Sequence, residues 1–104
     1  MKTIYNKLIR DHIPEIIESD GKVARFEKIE GERLLRELNL KLEEELAEYK
    51  GSGAVEELAD IYEVIKGILD YKGISELEFK EIVEKKATKR GSFKKGLFLI
   101  EVEG

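Results

Sequence analysis

Residues 41–63 read KLEEELAEYKGSGAVEELADIYE, two acidic helix-forming runs separated by Gly51-Ser52-Gly53. Apolar residues recur at three- and four-residue spacing on both sides of that break: Leu35, Leu38, Leu42, Leu46 and Tyr49 before it, Leu58, Ile61, Tyr62, Ile65, Ile68 and Leu69 after it. This is the helical period, because each residue of an α-helix advances the face by about 100°. A Gly-Ser-Gly break lets the second helix fold back on the first. The fold class this dictates is mainly all-α, an antiparallel helical bundle.

The acids in these runs are ordered relative to the apolar stripes. With Leu35 at zero on a helical wheel, the first stripe spans roughly 300° through 20°, while Glu45 falls at about 280°, Glu48 at about 220° and Glu44 at about 180°. With Leu58 at zero on the second, Glu57 falls at about 260° and Asp60 at about 200°. Acids that only keep a helix solvated lie opposite its stripe, whereas Glu45 and Glu57 stand at its edge and Glu48, Asp60 and Glu44 follow round the same shoulder. Joining the stripes therefore gathers four or five carboxylates in one partly desolvated place. Two like charges 4 Å apart repel by about 4 kcal/mol at an effective dielectric of about 20, so the cluster calls for protons or a cation. Mg²⁺ takes oxygen ligands and keeps several waters, which suits helix-borne carboxylates together with substrate phosphates; Mn²⁺ is the alternative ion. Glu45, Glu48, Glu57 and Asp60 are the candidate metal ligands. Glu44, beside them, is the candidate for orienting or deprotonating a water. For any one of these residues taken alone, plain solvation of a Glu-rich helix is the simpler reading.

Glu44-Glu45-Leu46-Ala47-Glu48 followed by Glu57-Leu58-Ala59-Asp60 resembles the E-E-x-x-E … E-x-x-D signature of the all-α nucleoside triphosphate pyrophosphohydrolases, the MazG-like superfamily. Tyr5-Asn6-Lys7-Leu8-Ile9-Arg10-Asp11 with Ile13-Pro14, and Lys89-Arg90-Gly91-Ser92-Phe93 with Lys95-Gly96 and Phe98-Leu99, are similar to the two ends of its small phosphoribosyl-ATP pyrophosphohydrolase-like branch. The likeness covers nearly the whole chain. Two positions depart from the pattern, His12 where a lysine is expected and Ser92 where a second glycine is expected, and both bear on specificity. The resemblance implies Mg²⁺-dependent cleavage between the α and β phosphates of a nucleotide, giving a nucleoside monophosphate and pyrophosphate. House-cleaning of non-standard triphosphates and hydrolysis of phosphoribosyl-ATP in histidine synthesis are two substrate classes within it. A non-catalytic helical interaction module is the third reading. The superfamily's habit of assembling from several chains also implies a homodimer or higher homo-oligomer.

The remaining features fit one soluble domain over residues 1–104. Hydrophobic residues make up 41% and charged residues 40% of the chain, enough for one modest core. There is no cysteine, no apolar run long enough for a membrane span, and no signal-peptide pattern at the start, so a cytoplasmic location is expected. A net charge of −4 gives no general attraction to nucleic acid. One histidine and no cysteine leave no Ser-His-Asp or Cys-His set, and no glycine-rich phosphate loop is present.

Phosphate contacts would instead fall to basic side chains. Asn6, Lys7 and Arg10 near the start are candidates for substrate binding, with pairing to nearby acids as the alternative. Lys86, Lys89, Arg90 and Lys95 are candidates at the other end, where the same cations also complement a helix C-terminus. Ser75 and Glu78 form a capping-box pattern for a last helix, and Gly73 a stop signal for the one before it. Alternation over residues 23–29 and 97–102 predicts two short strands that pair with each other. Ile4, Leu34, Leu40, Val64 and Tyr71 lie off the main stripes and are expected to be covered by association.

Overall fold

The computed structural model describes residues 1–104 and contains four helices in succession: α1 (Ile13–Ser19), α2 (Gly31–Ser52), α3 (Val55–Lys72) and α4 (Glu76–Arg90). The glycine signals act where the sequence places them. Gly53 and Gly73 take left-handed backbone (φ 68° and 71°) and end α2 and α3, each donating its N–H to a carbonyl of the last turn. Only Gly53 and Ala54 separate α2 from α3, which makes the pair a tight helical hairpin. Ser75 and Glu78 form the expected capping box at the start of α4: Ser75 Oγ accepts from the Glu78 N–H at 3.1 Å and Glu78 Oε1 accepts from the Ser75 N–H at 3.3 Å.

The hairpin holds the core. A Cβ added at Gly67 on α3 would stand 3.0 Å from Leu38 Cδ2 on α2, so the missing side chain is what allows the helices to come this close. Leu38, Val64 and Leu69 are the buried hydrophobic residues. Val64, expected to lie off the stripe, is therefore part of the core. Leu46, Leu58 and Tyr62, expected within the stripes, are about half exposed. Each helix has rolled slightly about its axis relative to the apolar count, and the position on α2 brought into the interface is Glu45, itself buried.

The expected pairing of residues 23–29 with 97–102 does not form. Neither segment is a strand, and no backbone hydrogen bond joins them. A two-stranded ladder is stable only when one of its faces is covered, and here Val23, Phe26, Leu97, Phe98, Leu99 and Ile100 are all exposed. Outside the hairpin, packing is sparse: α4 meets only α3, and α1 meets none of the other helices. No helix is long and apolar enough to cross a membrane.

Candidate metal centre

Antiparallel packing of α2 on α3 sets Leu38 against Gly67 and, two turns along, Glu45 against Asp60. A carboxylate oxygen from each of Glu45, Glu57 and Asp60 lies within 4.8 Å of the others. Glu45 Oε1 has Lys41 Nζ at 3.6 Å, while Glu45 Oε2 is buried without any hydrogen-bond partner. A buried acceptor left unpaired costs about 1–3 kcal/mol, more when it is charged, so this oxygen marks a place that a ligand would complete. Oxygens on opposite sides of one Mg²⁺ are about 4.2 Å apart, given bonds of about 2.1 Å. Small rotations of the half-buried Glu57 and Asp60 carboxylates would close the difference. The donor set is all oxygen, as Mg²⁺ and Mn²⁺ prefer.

The electrostatics follow from this crowding. Burial and then the neighbouring Glu48 charge push the Glu45 carboxyl above the ordinary carboxylate range. Glu57 is raised for the same two reasons. Glu48 itself is exposed and stands at the rim of the cluster, close enough for its charge to act on both. Glu44 behaves in the opposite sense. The Lys7 ammonium donates to its Oε1 at 2.9 Å and holds the carboxyl below its usual range, with Lys41 donating to Oε2 at 3.4 Å. The same bond raises Lys7.

The first eleven residues, which contain no helix, reach the centre from outside. Besides the Lys7 contact, Arg10 Nη2 donates to Asp60 Oδ1 at 2.7 Å. Two candidates for substrate binding thus rest on acids of the two helices, Lys7 on Glu44 beside the cluster and Arg10 on Asp60 within it. Asn6 has left-handed backbone (φ 45°), uncommon for a residue with a side chain, at the bend that turns Lys7 toward α2. Lys86, Lys89 and Arg90 are exposed along the free half of α4, and Lys95 is exposed in the segment after it. None of these four pairs with an acid of the cluster. Lys41 is the participant that the sequence reading passed over. Its signal is its spacing, three and four residues before Glu44 and Glu45, which puts it on their face of α2.

No family model, curated protein or solved structure matches the chain.

Proposed function

We propose that the protein is a divalent-cation-dependent nucleotide pyrophosphohydrolase. The observation that carries this reading is the buried, unpartnered Glu45 Oε2 within a three-carboxylate cluster drawn from two helices. A structural helix pair has no use for such a group, whereas a cation site requires one.

Glu45, Glu57 and Asp60 would hold the ion, with Glu48 joining from the rim. Mg²⁺ or Mn²⁺ bound there supplies charge neutralisation and Lewis acidity for phosphoryl chemistry. Glu44, fixed through both oxygens by Lys7 and Lys41, serves as the acceptor that orients a water. Arg10 and Lys7 steady the acids and, being at least half exposed and about two-fifths exposed respectively, remain open to an anionic substrate. The bond broken, between the α and β phosphates, comes from the resemblance of Glu44-Glu45-Leu46-Ala47-Glu48 and Glu57-Leu58-Ala59-Asp60 to the MazG-like signature. Nucleoside triphosphates, non-standard ones included, are the proposed substrates. A homo-oligomer acting in the cytoplasm is the setting that goes with this reading.

The test is pyrophosphate release from a panel of nucleoside triphosphates and phosphoribosyl-ATP, with and without Mg²⁺. Mg²⁺-dependent release from triphosphates is expected, and Glu48→Gln and Asp60→Asn should each abolish it while leaving helix content intact. Turnover confined to phosphoribosyl-ATP would move the substrate to histidine synthesis. Absence of turnover on every nucleotide would leave a non-catalytic cation-binding module.

A further inference from the structure

Residues 1–12 cross the helix hairpin without being built into it. They contain no helix or strand, no backbone hydrogen bond joins them to α2 or α3, and α1, which follows them, meets none of the other helices. All twelve are exposed except Leu8, which is half-buried. Two hydrogen bonds tie the segment down: Lys7 Nζ donates to Glu44 Oε1 on α2 at 2.9 Å, and Arg10 Nη2 donates to Asp60 Oδ1 on α3 at 2.7 Å. The segment is a strap held at one point on each helix.

Both points lie at the carboxylate centre, and Asp60 is a member of it. An ion about 2.1 Å from Asp60 Oδ1 would stand within about 5 Å of an Arg10 Nη2 that kept its own bond to the same oxygen. A guanidinium and a divalent cation at that distance repel twice as strongly as two single charges do. The charge balance has the same form. Three cations pair with the acids here, Lys41 from α2 itself and Lys7 and Arg10 from the strap. The strap's two single charges equal the charge of one divalent ion. Its pairs are also weakly held, because the Arg10 and Asp60 side chains are 54% and 40% exposed and ion pairs in water contribute little.

We propose that Arg10 and a divalent ion compete for Asp60, so that loading the centre releases the strap from α3 and removing the ion lets it close again. The proposal rests on the reading of Glu45, Glu57 and Asp60 as ion ligands. The exchange runs toward the ion because the strap neutralises only the open side of the centre. Glu45, with its side chain nine-tenths buried, keeps an Oε2 that neither Lys7 nor Arg10 satisfies, and an ion bound to that oxygen removes the cost of leaving it unpaired. Once off Asp60, the Arg10 fork of N–H donors is free to pair with the anion that a bound cation attracts. The coupling is reciprocal: if the ion loosens the strap, a loosened strap tightens the ion by the same factor.

Trypsin reads the strap in the unmutated protein, since it cleaves after Arg10 only when that side chain has left Asp60. Mn²⁺ is the probe, with calorimetry giving the concentration that saturates the centre, and neither readout involves turnover. At saturation, cleavage after Arg10 should accelerate at least about fivefold, the lower end of such couplings. Cleavage after Arg25, which pairs with no acid, should stay constant. Arg10→Gln, at unchanged helix content, should bind Mn²⁺ more tightly by a similar factor, and binding seen only in that variant would be the same competition at its strongest. Mn²⁺ bound by the unmutated protein with no change in cleavage after Arg10 would overturn the strap proposal and leave the metal centre standing. A folded Arg10→Gln that bound Mn²⁺ no more tightly would do the same. No Mn²⁺ bound by either protein would overturn both.

Discussion

Glu45 occupies a position where a helix hairpin ordinarily places leucine. It is buried between α2 and α3, one oxygen is without a partner, and its carboxyl is pushed upward by burial and by Glu48. Replacing a buried, poorly paired charge with an apolar group of similar size is often stabilising, by about 1–4 kcal/mol. Glu45→Met should therefore raise the unfolding midpoint measured without divalent ions and at the same time remove Mn²⁺ binding in calorimetry. A variant that lost stability instead would show that Glu45 is a satisfied structural residue. Lys7 and Glu44 give a second prediction, this time in pH. The Lys7 ammonium holds Glu44 below its ordinary value, so the pair's contribution is present above about pH 4.5 and lost as pH falls through the depressed pKa. Lys7 is raised by the same bond, so the contribution is present below about pH 10.5 and lost as pH rises through the elevated pKa. The difference in urea midpoint between the native protein and Lys7→Met should be level between those limits and vanish beyond each. Lys7 is exposed and Glu44 only half-buried, so solvent screens the pair and the difference will be small.

At the scale of the helices, sequence and structure agree where local chemistry decides and diverge where it does not. Gly53, Gly73 and the Ser75–Glu78 box set helix ends through backbone conformation and short-range hydrogen bonds, all legible from residue type. Of the four acids expected to converge, Glu45, Glu57 and Asp60 come together, while Glu48 is exposed and lies outside that group. What the wheel could not show is the roll of each helix, which depends on where the two can approach closely. Gly67 leaves room for Leu38, and in that packing Glu45 and Val64 are buried while Leu46 and Leu58 are about half exposed. The paired strands failed for a related reason, because alternation supplies a strand but not the surface that stabilises it. Gly67→Leu tests the close contact. Its side chain would press on Leu38 and force α2 and α3 apart, costing about 1–3 kcal/mol from overpacking despite the better helix propensity of leucine. It should also weaken Mn²⁺ binding, since the same approach brings Glu45 to Asp60. Full retention of both stability and ion affinity would mean that the centre does not depend on the spacing of the hairpin.

For the molecule as a whole, the question is what makes it cooperative. One helix hairpin with three buried hydrophobic residues is a thin core for 104 residues, and α1, α4 and the tail add little to it within one chain. If association supplies the rest of the core, folding and assembly become one equilibrium. The native state is then favoured by mass action, and its stability depends on chain concentration. The unfolding midpoint should rise by several degrees for each tenfold increase in protein, with calorimetric and van't Hoff enthalpies agreeing only when the transition is treated as folded oligomer to unfolded chains. A midpoint independent of concentration would mean that the single chain is stable by itself. The hydrophobic surface of α4 and residues 97–102 would then have to be explained without a second copy. Hydrogen exchange separates the cases further: amides of α4 should be protected at high concentration and exchange quickly on dilution, while those near Leu38 and Val64 remain the slowest throughout.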